Sequence, residues 1–241
     1  MTLSVQRRAL ITGASSGIGR ATALAFAKAG FDVILISRSQ ESLQQVAAEA
    51  SQFGVKAHAQ VLDLAQTDQV REKVLALDQQ LGPIDVLVNN AGMGYTGRLM
   101  NTSLSDWQRV LDLNLTSVFQ CIQGVLPGMR DRRRGTIINI SSIAGHQVFP
   151  EWGTYCVSKF GLVALSKALA AEERSHGIRV VTISPGSVNT SLWDTDTVHA
   201  DFDRSAMLTP EMVAQSILHT ALMPEGAVVE ELVLMPNAGA F

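Results

Sequence analysis

The chain has 241 residues, of which 46% are hydrophobic and 17% charged, with a formal net charge of −3 and a pI near 5.9. This composition predicts a sizeable buried core and excludes a disordered chain. It also argues against nucleic acid or a membrane surface as the main partner, because these attract strongly basic proteins. We expect one domain over residues 1–241.

Apolar runs and helical periodicities alternate along the chain. Strands are predicted at 9–12, 32–37, 55–62, 84–89, 136–141, 179–184 and 231–235, and helices at 18–29, 40–53, 68–81, 105–133, 154–175 and 210–222. The fourth helix is expected to be interrupted around Pro127-Gly128. This order predicts an α/β fold: a Rossmann-like, doubly wound parallel sheet of about seven strands, with helices on both faces.

The cysteines and histidines point to no metal or disulfide. Cys121 and Cys156 form no Cys-x-x-Cys motif, and the five histidines lack metal-ligand spacing. The N-terminal segment is too short and polar for a signal peptide, and no apolar run reaches the ~20 residues of a membrane span. The sequence therefore predicts a soluble, cytoplasmic protein without a metal site.

A glycine-rich turn follows the first predicted strand. Residues Thr12 to Gly19 read Thr-Gly-Ala-Ser-Ser-Gly-Ile-Gly and lead into an alanine-rich helix. Glycines let backbone N–H groups approach a pyrophosphate, and a helix N-terminus favours negative charge. The turn predicts nucleotide binding, and a purely structural turn is the alternative.

The second predicted strand ends at Ser37-Arg38, without an acidic residue. NAD sites in such folds usually place a carboxylate here for the ribose 2′-hydroxyl, whereas an arginine attracts a 2′-phosphate. We therefore predict NADP(H) rather than NAD(H). The alternative is that Arg38 is a solvated loop cation.

Tyr155 and Lys159 are four residues apart in a predicted helix, so their side chains share one face. A nearby ammonium favours the phenolate and lowers the pKa of a tyrosine from its usual value near ~10. Such a tyrosine can exchange a proton with a carbonyl or alcohol oxygen near neutral pH. Ser142 supplies a second hydroxyl for that oxygen. A packing tyrosine beside a solvated lysine is the alternative.

These residues together resemble the short-chain dehydrogenase/reductase family over essentially the whole chain. The similarity rests on motifs that occur in the family's order: Thr12-Gly-x-x-x-Gly17-x-Gly19, Asn89-Asn90-Ala91-Gly92, Asn114, Ser142, Tyr155-x-x-x-Lys159, Pro185-Gly186 and Thr190. Taken singly, several have a structural alternative, such as a helix residue bonded to nearby backbone or a turn.

The resemblance implies the strand order 3-2-1-4-5-6-7, a catalytic set and a cofactor set. Tyr155 would be the general acid, Ser142 would orient the substrate oxygen, Lys159 would bind the nicotinamide ribose and lower the Tyr155 pKa, and Asn114 would hold a water in a proton relay. The expected cofactor-binding residues are Gly13, Ser15, Ser16, Gly17, Ile18, Gly19, Arg38, Asp63, Leu64, Asn90, Ala91, Gly92, Tyr155, Lys159, Pro185, Gly186, Val188 and Thr190.

The implied function is reversible, NADP(H)-dependent reduction of a ketone or aldehyde. The candidate substrate contacts are Ser142, Tyr95, His146, Phe149, Trp152 and Trp193. Their aromatic character favours a medium-sized apolar or aromatic carbonyl, and a 3-oxoacyl thioester is the alternative. A non-catalytic NADP-binding sensor or scaffold, and an isomerase or dehydratase with a tightly held nucleotide, are alternatives of another class.

Residues 190–208 form the one long segment without clear periodicity, so we predict a substrate loop there. Its mixture of aspartates with Trp193, Val198 and Phe202 suits a mobile lid. The family usually forms dimers or tetramers through its two long helices, and a homotetramer or dimer is expected. The final residues 235–241 are expected to reach a neighbouring subunit or to fray.

Overall fold

The computed structural model describes residues 6–200 and 203–239. Two residues of the predicted lid, Asp201 and Phe202, and the chain end at Ala240 and Phe241 lie outside the described residues. Within the described ranges, no helix is long and apolar enough to cross a membrane.

Within the part of the chain that the structure describes, seven parallel strands form one sheet in the order β3-β2-β1-β4-β5-β6-β7, which confirms the predicted topology. The strands are β1 Arg8–Thr12, β2 Asp32–Ser37, β3 Ala57–Val61, β4 Val86–Asn89, β5 Gly135–Ile140, β6 Ile178–Pro185 and β7 Glu231–Leu234. All six residues of β2 are buried, as expected for a strand that is covered on both faces.

Helices cover both faces of the sheet. They are α1 Gly17–Lys28, α2 Gln40–Ser51, α3 Thr67–Leu81, α4 Leu104–Leu111, α5 Ser117–Arg132, α6 Gly153–Glu173 and α7 Pro210–Ala221. Successive residues of β1 point to opposite faces. Accordingly, Ile11 packs in the core with Phe26 of α1, and Leu10 packs in the core with Val125 of α5.

The strand order places a crevice above the carboxyl ends of β1 and β4. The chain moves outward from β1 through β2 and β3, then returns to add β4 on the other side. Helical connections therefore leave β1 and β4 toward opposite faces, and the loops that follow these strands diverge. The glycine-rich turn after β1 and the segment Asn90-Ala91-Gly92 after β4 line this crevice.

The predicted helix interruption at Pro127-Gly128 is wrong, because α5 runs through Pro127. Packing against α3 holds the helix across the missing N–H donor: a Cβ on Gly124 would lie 2.7 Å from Val74, so the two helices approach closely. The irregular stretch is instead a π-helical segment, Asp112–Thr116, between α4 and α5. It contains Asn114.

Candidate active site

The glycine-rich turn has the geometry of an anion cradle. Gly13 and Gly17 have φ values of 64° and 50°, in the left-handed region that favours glycine. A Cβ on Gly19 would lie 2.1 Å from the Gly13 carbonyl oxygen, so only glycine fits there. The N-cap residue Ser16 forms no side-chain hydrogen bond to the first turn of α1, which leaves N-terminal N–H groups available to a phosphate.

Hydrogen bonds join this turn to the end of β4. The Thr12 hydroxyl accepts from the backbone N–H groups of Asn90 and Ala91, each at 3.0 Å. The Asn90 amide donates to the Thr12 carbonyl at 2.9 Å. These bonds fix the two sides of the crevice relative to each other, so the cradle is formed by the fold itself.

An open cleft extends from this turn along the carboxyl edge of the sheet. Arg38, Asp63 and Leu64 line one end of the cleft, and Tyr155 and Lys159 line the other. Most of the predicted cofactor residues lie on it: Gly13, Ser15, Ser16, Gly17, Ile18, Arg38, Asp63, Leu64, Asn90, Ala91, Gly92, Tyr155, Lys159 and Thr190. Pro185, Gly186 and Val188 line an adjoining cavity, and Gly19 packs beneath the turn.

Other residues that line the cleft were not predicted from the sequence, including Ile140, Ser141, Leu113 and Arg109. Ile140 and Ser141 lie at the carboxyl end of β5, and that position could have identified them. Leu113 and Arg109 come from the α4–π segment. Its approach to the cleft depends on tertiary packing and leaves no local signal.

These features fit NADP(H). The cradle and the N-terminus of α1 suit a pyrophosphate, and the exposed Arg38 offers a cation to a 2′-phosphate. Among the described residues, no group of three His, Cys, Asp or Glu side chains could hold a metal ion.

Tyr155 lies where the cleft meets a second, smaller cavity, and it lines both. Its phenol is hydrogen-bonded to Ser142. Ser142 caps the short 3-10 turn Ile143–Gly145, and its hydroxyl accepts from the Ala144 N–H at 3.1 Å. The structure therefore brings the two predicted hydroxyl groups together on one wall.

The structure reverses the expected direction of the Tyr155 pKa. Burial raises the pKa of Tyr155 to about 12, although the hydrogen bond with Ser142 acts in the opposite direction. Burial also lowers the pKa of Lys159 from 10.5 to about 8, because it disfavours the ammonium. The Lys159 Nζ donates to the Ile140 carbonyl at 2.9 Å and lies 5.6 Å from the centre of the Tyr155 ring. Helical spacing correctly predicted that the two side chains share one face. It carries no information on burial, which determines the pKa values of both groups.

Asn114 is buried and linked to the segment after β4. Its Oδ1 accepts from the Met93 N–H at 2.8 Å, and its Nδ2 donates to the Met93 carbonyl at 2.9 Å and to the Ser158 hydroxyl at 3.0 Å. A Cβ on Gly92 would lie 3.2 Å from Asn114 Oδ1 and 3.7 Å from Lys159 Nζ. The π-helical segment thus brings Asn114 close to Lys159 and anchors the β4 loop between them.

Three of the predicted aromatic side chains line the smaller cavity, namely Phe149, Trp152 and Trp193. Trp152 contacts both Tyr155 and Trp193 edge-to-face, with ring centroids 5.5 and 5.9 Å apart. Ser142 and Tyr155 face the same cavity. The arrangement suits an apolar ligand whose polar end reaches the two hydroxyl groups.

Two predicted substrate contacts lie elsewhere. His146 is not among the residues that line the cavity, because its ring turns away to bond with Ser184 at 2.8 Å. Tyr95 is also absent from the cavity wall and packs beside Gly97. Both residues are close to the site in sequence, but side-chain direction carries them away from it.

The described part of the loop, 190–200 and 203–208, contains two short 3-10 turns, Ser191–Asp194 and Arg204–Ala206, which are too short to show a helical period in the sequence. Arg204 forms an ion pair with Asp194 at 2.5 Å. The loop is held against the β4 segment: the Thr96 N–H donates to the Thr197 carbonyl at 2.8 Å, and the Thr197 hydroxyl donates to the Gly94 carbonyl at 2.8 Å. These contacts place the loop over the cleft. Its role as a mobile lid stays a prediction.

Comparison with known proteins decides the family. Residues 7–200 match the family model described as short chain dehydrogenase. The 3-oxoacyl-[acyl-carrier-protein] reductase FabG of Thermotoga maritima is 38% identical over 218 residues, which cover 88% of this chain and 89% of that protein. The chain belongs to the short-chain dehydrogenase/reductase family. The predicted family and the predicted class of enzyme, an oxidoreductase, are therefore confirmed.

Two further comparisons show how widely this fold is used. The glycine betaine reductase ATRR of Emericella nidulans is 36% identical over 235 residues, but the match spans 95% of this chain and 18% of that larger protein. An alcohol dehydrogenase from Thermococcus sibiricus, solved with 5-hydroxy-NADP, superposes with a TM-score of 0.88 at 28% identity and covers 97% of each chain.

Proposed function

We propose that this protein uses NADP(H) to reduce a ketone or aldehyde to an alcohol, reversibly, with Tyr155 as the proton donor. The observation that carries the proposal is the position of Tyr155, which lines both the nucleotide cleft and the apolar cavity. A carbonyl in the cavity can therefore contact the phenol and the cofactor at the same point. Reaction at such a junction depends mainly on orientation.

The cofactor is NADP(H), and different residues of the cleft would bind its different groups. The glycine-rich turn would hold the pyrophosphate, Arg38 the 2′-phosphate, and Lys159 with the Pro185–Val188 segment the nicotinamide ribose and ring. When bound, the reduced nicotinamide supplies the hydride that the carbonyl carbon receives.

The protein residues then control one proton. Tyr155 would give its phenolic proton to the carbonyl oxygen, while Ser142 holds that oxygen by a hydrogen bond. A Tyr155 pKa of about 12 keeps the phenol protonated at neutral pH. This protonation state suits an acid in the reduction direction, whereas alcohol oxidation requires the phenolate and is favoured at alkaline pH. Asn114 would fix the β4 loop and Lys159 at the rear of the site.

The cavity supports a medium-sized apolar or aromatic carbonyl as substrate. Its wall contains Phe149, Trp152 and Trp193 together with aliphatic residues such as Ile143 and Leu192. Burying such surface favours binding by about 25 cal/mol per Å², so apolar carbonyls should have lower KM values than small polar ones.

A 3-oxoacyl thioester is the second candidate substrate. The FabG protein of Thermotoga maritima is named for this activity and matches most of the present chain. The cavity joins an open cleft, which would admit the acyl end of a longer molecule. A non-catalytic NADP sensor is disfavoured by the paired hydroxyl groups of Ser142 and Tyr155 at the cavity, because binding alone does not require a proton donor.

NADPH oxidation across a panel of ketones, aldehydes and 3-oxoacyl thioesters tests the proposal. Tyr155→Phe should lower kcat by at least about 10²-fold, typical of a lost general acid, and should leave NADPH binding nearly unchanged. Tyr95→Phe is the matched control, since Tyr95 does not line the cavity. A Tyr155→Phe enzyme with near-normal turnover, or release of no NADP with any carbonyl, would refute the proposal.

We also propose that the protein forms a homo-oligomer through α5 and α6. Apolar side chains on these helices are exposed, including Phe119, Val157 and Phe160, and α6 carries Tyr155 and Lys159. Sedimentation of the purified protein tests this, and a monomer at micromolar concentration would contradict it. A cytoplasmic location stays a prediction.

A further inference from the structure

A polar cluster lies behind the Ser142 turn, outside both cavities. His146 directly follows the 3-10 turn Ile143–Gly145, and its Nε2 lies 2.8 Å from the Ser184 hydroxyl on β6. The same nitrogen lies 3.3 Å from Glu231 at the start of β7. Glu231 also pairs with Lys167 of α6 at 3.3 Å. His146 therefore contacts β6 and β7 directly, and Glu231 links it to α6, which carries Tyr155 and Lys159.

The bond between His146 and Ser184 lies directly beyond the last main-chain hydrogen bond between β5 and β6. The Ser141 N–H donates to the Ile183 carbonyl at 2.7 Å. The next residue along β6 is Ser184, which is fully buried, and it receives the His146 side chain. Because Ser184 is buried and directly precedes Pro185-Gly186, this bond joins the turn to the segment that would hold the nicotinamide.

The turn has little room to move without disturbing the site. A Cβ on Gly145 would lie 2.6 Å from the Ser141 hydroxyl and 3.0 Å from the Lys159 carbonyl. The turn is therefore packed directly against α6 beside Lys159. The Ser142 hydroxyl is hydrogen-bonded to the Ala144 N–H within the turn. A small displacement of the turn would therefore move this hydroxyl away from Tyr155.

We propose that His146 is a positioning residue, which ties the Ser142 turn to β6 through Ser184 and thereby keeps the Ser142 hydroxyl against Tyr155. Ser142 touches the substrate in the proposed reaction, and His146 acts through it. The inference rests on the proposed carbonyl reduction for its kinetic consequence, but the anchoring of the turn can be measured without turnover.

The kinetic test compares His146→Ala, His146→Gln and His219→Ala. His146→Ala should lower kcat about 10- to 100-fold, because displacement of a positioned group by about 1 Å can cost this much. The KM for NADPH should stay within about twofold, since the glycine-rich turn and Arg38 are unaffected. His146→Gln places an amide nitrogen near the same point and should retain most activity. His219 is exposed on α7, and its replacement should change nothing.

A double-mutant cycle separates positioning from a general structural role. If His146 acts through Ser142, the variant that combines His146→Ala with Ser142→Ala should be no slower than Ser142→Ala alone. Multiplicative losses would overturn the inference. Ser184→Ala removes the other partner of the bond and should reproduce the kcat loss, which keeps the test decisive if His146→Ala folds poorly.

Hydrogen exchange gives the readout that needs no substrate. The backbone N–H groups of Gly145 and His146 donate to the Ser142 and Ile143 carbonyls at 2.9 Å, and their exchange should accelerate about tenfold or more in His146→Ala. Unchanged exchange would overturn the inference. If none of the carbonyl compounds supports NADPH oxidation by the wild-type enzyme, the proposed function fails. The exchange result still decides whether His146 anchors the turn.

Discussion

Replacing Lys159 by methionine is expected to stabilise the fold while it abolishes turnover. Lys159 is only 5% exposed, and methionine has a similar length and helix propensity without the charge. Because burial lowers the pKa of Lys159 from 10.5 to about 8, the folded state disfavours the ammonium. At ~1.4 kcal/mol per pKa unit, this cost is about 3 kcal/mol at pH 7.

Part of this gain is lost with the hydrogen bond to the Ile140 carbonyl, which contributes about 1 kcal/mol. The net expectation is therefore about 2 kcal/mol of added stability at pH 7, or a rise in Tm of about 4–8 °C for a chain of this size. The gain should depend on pH. Between pH 8 and 10.5 the unfolded wild-type chain binds more protons than the folded one, so wild-type stability rises with pH and the advantage of Lys159→Met shrinks.

Urea unfolding at pH 7 and near pH 10 measures both effects. Lys73→Met is the matched control, because Lys73 is exposed on α3 and its replacement should change stability by less than about 0.5 kcal/mol. A Lys159→Met variant that is less stable than wild type at pH 7 would refute the reasoning. A gain that persists unchanged near pH 10 would show that the buried charge is not its cause.

Three further predictions concern the cleft. Arg38→Ala should lower kcat/KM with NADPH about tenfold or more and leave kcat/KM with NADH nearly unchanged. The reason is that a charge-assisted contact to the 2′-phosphate contributes about 1.5–3 kcal/mol. Equal losses with both cofactors would contradict this assignment. Gly19→Ala should weaken NADPH binding, measured by fluorescence titration, because its Cβ would lie 2.1 Å from the Gly13 carbonyl oxygen and displace the turn; unchanged affinity would show that the turn adapts. Asn114→Ala leaves the Met93 backbone and Ser158 without their side-chain partner and should lower stability by about 2 kcal/mol, whereas a thermal scan with an unshifted Tm would show that water replaces the amide.

The main features of the fold were accessible from the sequence because they depend on local patterns. Continuous apolar strands such as β2 separated by amphipathic helices require a parallel sheet that is covered on both faces. The glycine-rich turn and Arg38 directly follow predicted strands, and Tyr155 lies in the helix that comes after another. Parallel strands place their carboxyl ends on one edge of the sheet. That is why most of the predicted cofactor residues line one cleft.

Other features depend on contacts between distant segments. The π-helical segment around Asn114 and the unbroken passage of α5 through Pro127 both follow from packing against neighbouring elements, which outweighs local helix preference. His146 lies four residues from Ser142, yet its bond to Ser184 turns it away from the cavity. The missing information was tertiary packing for the two helical segments and side-chain direction for His146.

The sequence by itself determined the alternation of strands and helices, the position of the glycine-rich turn, and the pairing of Tyr155 with Lys159 on one helical face, because spacing and periodicity encode them directly. Tertiary structure alone decided the electrostatics of that pair. Burial raises the Tyr155 pKa and lowers the Lys159 pKa, because removal from water penalises each charged form. Spacing places the two groups together, but the surroundings that the rest of the chain builds decide which proton each one holds.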